Sequence, residues 1–165
     1  MVGKSFWGGE IRLTNGELVH AAMAALESDD PKCAAPYFTE DFVWQGNFPR
    51  PLDKQRFMQL MIALKKGFPD YALSVKCCQD SGNPVVRAVM EPVGTHSGTF
   101  ALPGLPPIKA TGVVVALPRQ AMEFTLRGSQ INKIKLEHAS GGGVMGLLEI
   151  LGVELTEEML EKVLR

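Results

Sequence analysis

Neither sign of charge prevails in this chain: 17 Lys and Arg stand against 18 Asp and Glu, a net charge of −1. That balance gives no long-range pull toward phosphate backbones or anionic membranes, and no basic run is longer than Lys65-Lys66. Nucleic acid is not an expected partner. Apolar runs are short, and none approaches the ~20 residues that a bilayer-spanning helix requires, so no membrane partner is expected. The first ten residues lack the apolar centre and cleavage pattern of a secretory signal. Cysteines number three, too few for a disulfide framework. Two of them, Cys77 and Cys78, are neighbours in an expected strand, where side chains point to opposite faces. They are poorly placed to share a metal, and a bond between them would be strained. A reducing, cytoplasmic setting is the expectation. No group of His, Cys, Asp and Glu has metal-ligand spacing, no Gly-x-Ser-x-Gly elbow is present, and neither metal nor cofactor is expected.

What is there describes an ordinary globular chain. Its 165 residues, 45% hydrophobic and 21% charged, suit one domain that buries roughly 70% of the surface its unfolded chain exposes. Residues 1–13 show no period and read as an N-terminal arm. Thr14-Asn15-Gly16-Glu17 is a capping box that opens an alanine-rich helix to about residue 28, with Leu18, Ala21, Ala22, Ala25 and Leu26 on its buried stripe. Pro31 starts a short second helix. Phe42 and Trp44 lie in a short strand at 41–45. A third helix is predicted over 54–66, its buried face Phe57, Leu60, Met61 and Leu64, with Gly67 placed to end it.

From Tyr71 the period changes to two, which predicts strands at 71–79, 84–93, 95–102, 110–117, 120–127 and 131–138. Turns fall at 80–83 and 127–130. A helical region at 144–164 is punctuated by Gly152. Helices first and then closely spaced strands give an α+β fold: a meandering antiparallel sheet with helices packed on one face. The run 112–117 is apolar on both sides. A strand of that kind must be covered on both faces, which suggests a homodimer built sheet against sheet.

The stretch 93–112 carries His96, then Pro103, Gly104, Pro106 and Pro107, and then an apolar return. It reads as a strand, a rigid mouth and a returning strand that form one wall of a pocket. His96 shares a face with Gly98 and Phe100, where it could donate, accept or move a proton near neutral pH, or simply hold the sheet together. His138 continues the face of Ile134 and Leu136 and is the second candidate for proton transfer, or a cap on the core. His20 lies off its helix's apolar stripe and reads as a surface residue. Glu123 is either solvated and paired with Arg127 or an acid in the pocket with a raised pKa. Trp44, Gln45, Phe48, Phe57, Met61 and Phe100 could line a cavity for an apolar ligand, or make up plain core. Residues 141–146 match Gly-x-Gly-x-x-Gly, but no parallel strand and acid follow, so a dinucleotide site is rejected.

Several of these segments resemble the SnoaL-like polyketide cyclases of the nuclear transport factor 2-like superfamily. The resemblance rests on residues 38–44, on Gly94-Thr95-His96-Ser97-Gly98-Thr99-Phe100, on Pro106-Pro107 through Thr111-Gly112, on Lys133-Ile134, and on Gly146-Leu147-Leu148 through Gly152. It spans residues 14–152, with 153–165 a C-terminal helical extension of the same domain. The resemblance implies a cone-shaped, curved antiparallel sheet closed by helices around an apolar cavity. It implies a homodimer and cofactor-free aldol-type cyclisation or isomerisation of a small hydrophobic carbonyl compound. His96 matches the family's pocket histidine. The family's catalytic aspartate falls where this chain has Gly141, Gly142 and Gly143. Two functions follow as alternatives: acid–base catalysis by His96 and His138, or binding of a hydrophobic metabolite without conversion.

Overall fold

The capping box at Thr14 forms as its spacing requires: the Thr14 hydroxyl accepts the Glu17 N–H at 3.1 Å, and the Glu17 carboxylate accepts the Thr14 N–H at 3.0 Å. The computed structural model describes residues 3–6, 9–46, 48, 50–80, 84–154 and 156–163. Ahead of Thr14, the expected arm is a hairpin of β1 (Gly3–Phe6) and β2 (Gly9–Arg12). Backbone pairing needs no apolar period, which is why the sequence gives no sign of it. Helix α1 (Asn15–Leu26) buries Leu18, Val19, Ala22, Met23 and Leu26. A 3-10 turn (Pro31–Tyr37) follows, capped by the Asp30 side chain.

Strand β3 (Phe38–Gln45) and the two-residue β4 (Leu52–Asp53) lead into α2 (Lys54–Gly67). The Asp53 carboxylate accepts the Arg56 N–H at 2.8 Å and caps the helix. Lys65 and Lys66 sit in its last turn, where cations favour the dipole. Lys65 also donates to the Glu27 carbonyl at 2.9 Å, tying the ends of α1 and α2 together. The expected stripe of Phe57, Leu60, Met61 and Leu64 is buried. Phe57 completes an aromatic cluster, its ring 5.3 Å from Phe38, 4.9 Å from Phe42 and stacked 5.2 Å from Trp44.

The remaining strands are β5 (Lys76–Asp80), β6 (Val85–Met90), β7 (Val93–Thr95), β8 (Val114–Ala116), β9 (Gln120–Arg127) and β10 (Gln130–Leu136). Cys77 and Cys78 fall in β5, while the expected turn at 80–83 lies largely outside the described residues. Gly128 makes the β9–β10 turn with φ of +63°, a conformation that favours glycine. Six strands form one sheet in the order β4-β3-β10-β9-β6-β5. Its neighbours are antiparallel except β10 and β3, which run parallel. The sheet is therefore mixed, whereas short connections alone pointed to an antiparallel meander. The last strand returns to lie beside the first one of the sheet, a pairing set by packing over more than 80 residues of chain.

Helices α1 and α2 cover one face of this sheet, where Phe42, Trp44, Met122, Phe124, Ile134 and Leu136 are buried. On the opposite face the register aligns Lys135, Glu123 and Arg87 across three strands. Strands β7 and β8 form a separate two-stranded sheet. The doubly apolar run 112–117 therefore lies outside the large sheet, contrary to the single meandering sheet that the sequence predicts, and only Val115 of it is buried. Helices α3 (Gly143–Ile150) and α4 (Glu157–Val163) close the chain. No helix among the described residues is long and apolar enough to cross a membrane.

Candidate functional site

A cavity of about 50 Å³ opens between α2, α3, the end of β6 and the β7–β8 hairpin. One water needs ~10–15 Å³ measured this way, so the space admits a slender group. Leu60, Met61 and Leu64 of α2 form its floor, and Val144 and Leu147 of α3 face them. Val115 enters from β8, because its neighbours Val114 and Ala116 point outward. Trp44 and Phe48 close one side; Phe68, Tyr71 and Leu73 close another. Only two of the lining side chains carry a nitrogen or oxygen: Trp44 and Tyr71.

Both are hydrogen-bond donors. The Trp44 indole is 6% exposed, and its buried Nε1–H finds no partner among the described residues. A buried N–H without an acceptor costs about 1–3 kcal/mol, which a ligand oxygen would recover once the lining parts, since Nε1 itself has no contact with the open space. Tyr71 follows α2, where its N–H donates to the Phe68 carbonyl at 2.8 Å. Burial pushes the Tyr71 phenol well above its ordinary value of 10.0, and the charge of Glu27 adds to the effect. It keeps its proton across the physiological range and can donate a hydrogen bond, but it is no base.

His96 does not line this cavity. It follows β7, fully buried, and its ring stacks on Phe68 at 5.1 Å and 26°. Phe68 lines the cavity and covers the imidazole from it. The His96 backbone accepts the Gly112 N–H, and its own N–H donates to the Val113 carbonyl, each at 2.9 Å. Nδ1 accepts the Thr111 N–H at 3.3 Å and lies 2.9 Å from the Thr111 hydroxyl oxygen. That hydroxyl accepts the Val113 N–H, leaving its own proton for Nδ1. The network thus assigns the ring proton to Nε2, which has no partner among the described residues.

The other expected site residues divide by face. Trp44, Phe48 and Met61 line the cavity. Gln45 does not, since it follows Trp44 in a strand and points the other way. Glu123 lies on the same outer face, 3.4 Å from Arg87. Arg127, its expected partner, is instead held by Asp41 at 2.6 Å. Phe57 and Phe100 are buried in the core behind the lining. His138 is exposed: β10 ends at Leu136, so alternation no longer governs its direction. His20 is exposed, as expected. The room at Gly98 serves no ligand, because a Cβ there would meet the Lys66 carbonyl oxygen at 2.0 Å. Gly143, at the expected aspartate position, contributes only backbone to the lining. Among the described residues, no three His, Cys, Asp or Glu side chains gather as a metal site would need.

No protein-family model matches the chain, and no curated protein matches it. Solved structures do. A proposed SnoaL-like polyketide cyclase from Jannaschia sp. CCS1 is 16% identical, with TM-score 0.64 over 88% of this chain and 100% of its own. IdmH, a proposed polyketide cyclase from Streptomyces antibioticus, is 19% identical, with TM-score 0.61 over 86% and 100%. AclR, a proposed hydroxylase from Streptomyces galilaeus, is 20% identical, with TM-score 0.65 over 84% and 95%. At such identities the likeness is one of fold, and one fold hosts different reactions.

Proposed function

For a chain with the fold of the SnoaL-like polyketide cyclases, we propose that the cavity binds a slender hydrophobic carbonyl compound and does not convert it. The observation that carries this reading is the unpartnered Trp44 Nε1–H in an otherwise apolar lining. Tyr71 supplies a second donor. Neither residue can take a proton from carbon at neutral pH, and general base catalysis needs a group that can. The test uses 2-undecanone, a neutral apolar ketone, titrated calorimetrically and then recovered for mass spectrometry. Saturable binding with the ketone recovered unchanged supports the reading, and absence of binding overturns it.

Catalysis is the second reading, favoured by the orphaned Nε2 of His96 one ring behind the lining. It requires Phe68 to turn aside. A carbonyl compound with acidic α-hydrogens, incubated in deuterated water, would then exchange them with the wild type and not with His96→Ala.

Self-association belongs to the same proposal. Val114 is 74% exposed on β8, beside Val113 at 40% and Val93 at 42%. The large sheet's outer face, with Lys135, Glu123 and Arg87, is too charged for apolar packing. A homodimer therefore meets at β8, whose outer edge pairs with no strand among the described residues. Sedimentation is expected to give a dimer for the wild type and a monomer for Val114→Glu.

A further inference from the structure

Strand β8 is three residues long and serves two surfaces at once. Val115 lines the cavity, while Val114 and Ala116 are exposed on the other face. Its partner β7 brings Val93 and Gly94 to the same lining, with Pro92 and Leu117 at the end of the ribbon away from its connection. This ribbon therefore forms one wall of the cavity. Its strands pair with each other and with no third strand among the described residues. A single bridge, Ala72 to Val93, continues the ladder beyond β7.

The hydrogen bonds of the ribbon fix what its outer edge offers. The Val113 carbonyl accepts the His96 N–H, and the Leu117 N–H donates to the Pro92 carbonyl, each at 2.9 Å. Bonded and non-bonded residues alternate along an antiparallel ladder. Val115, opposite Gly94, therefore bonds to β7, and the N–H and C=O groups of Val114 and Ala116 point to the outer edge. Those four groups complement a second copy of themselves. With Val115 of one copy opposite Val115 of another in an antiparallel pair, Val114 of each faces Ala116 of the other and all of the groups are bonded.

We propose that two copies join along this edge and that the joining tightens ligand binding in both cavities. This rests on the binding and self-association readings above and adds the coupling between them. A two-stranded ribbon is marginally stable by itself, and further strands hold it more firmly. Joining the edges makes a four-stranded sheet, which fixes Val115 and its neighbours before a ligand meets them. The ligand then has less of the wall to order as it binds. The coupling is reciprocal: a ligand that binds the dimer more tightly must itself tighten the dimer.

Sedimentation and ketone titration of the intact chain test it. Saturating 2-undecanone is expected to lower the dimer dissociation constant about a hundredfold, roughly tenfold for each of two cavities. Wild-type protein diluted below that constant is expected to bind the ketone about tenfold more weakly than concentrated protein, with no residue changed. Ala116→Pro removes an outward N–H and leaves the bonds to β7 in place, as proline does on an edge strand. It is expected to stay monomeric and to bind the ketone as the diluted wild type does. Ketone affinity that does not depend on wild-type concentration, or a dimer that the ketone does not tighten, overturns the coupling and leaves the cavity and dimer readings standing. Wild-type association of Ala116→Pro places the contact elsewhere and overturns the inference as well. A ketone that does not bind overturns the cavity reading with it, and a wild type that is monomeric at every concentration overturns the self-association reading with it.

Discussion

Gly98→Ala is expected to cost about 3 kcal/mol of folding stability, at the upper end of overpacking substitutions. A methyl group at this position would stand 2.0 Å from the Lys66 carbonyl oxygen and 3.2 Å from its carbon. Those are backbone atoms in the last turn of α2, and they have no rotamer by which to yield. The Gly98 N–H also donates to the Gly67 carbonyl at 3.1 Å. Moving this segment away would break that bond and unseat Phe100, which packs on Gly67. For a chain of this length, 3 kcal/mol lowers the melting temperature by roughly 6–12 °C. Ser97→Ala, at the exposed neighbour, is expected to stay within ~0.5 kcal/mol. Thermal unfolding followed by circular dichroism decides it. An unchanged midpoint for Gly98→Ala would mean that the 93–116 hairpin does not lie against α2 as described.

Val115→Phe is expected to reduce ketone affinity at least a hundredfold. Val115 is buried in the middle of β8 and faces the cavity between α2 and α3. The larger side chain projects into the space that the ketone would occupy. Much of the ring enters space already open, so the variant should fold, losing no more than about 1–3 kcal/mol. Near-ultraviolet circular dichroism checks the fold, and titration with 2-undecanone checks the site. Wild-type affinity in a folded Val115→Phe variant would place the ligand elsewhere.

How much of this was legible beforehand follows from the range of the interactions. The capping box at Thr14 and the stripe Phe57, Leu60, Met61 and Leu64 depend on spacings of three and four residues, and both are present. The returning strand after the Pro-rich mouth is also local: β7 pairs with β8 through Thr95 and Val114, and Phe100 bridges Ile108. The parallel pairing of β3 with β10 is remote, and nothing in either strand announces it. Gln45 and Glu123 are a different matter. Each adjoins a buried residue in its strand, Trp44 and Phe124 respectively, so alternation already placed them on the outer face. For Glu123 the solvated alternative is the one the structure shows, with Arg87 as its partner in place of Arg127. His138 lies beyond the end of its ladder, where parity carries no information. The sequence put His96 close to the cavity, but whether Phe68 stands in front of it depends on how a helix end meets a hairpin. Tyr71 gave no signal beyond its chemistry, since its place in the lining is set by how the segment after α2 packs, a property of the folded chain.

The most direct measurement is the indole N–H region of a nitrogen-15 correlation spectrum during titration with 2-undecanone. The chain has two tryptophans, and Trp44→Phe assigns their signals. A neutral ketone in the cavity is expected to accept the Trp44 N–H and shift that resonance downfield to a saturating end point. A Trp44 signal that stays in place while the ketone binds, or a ketone that does not bind at all, contradicts the account.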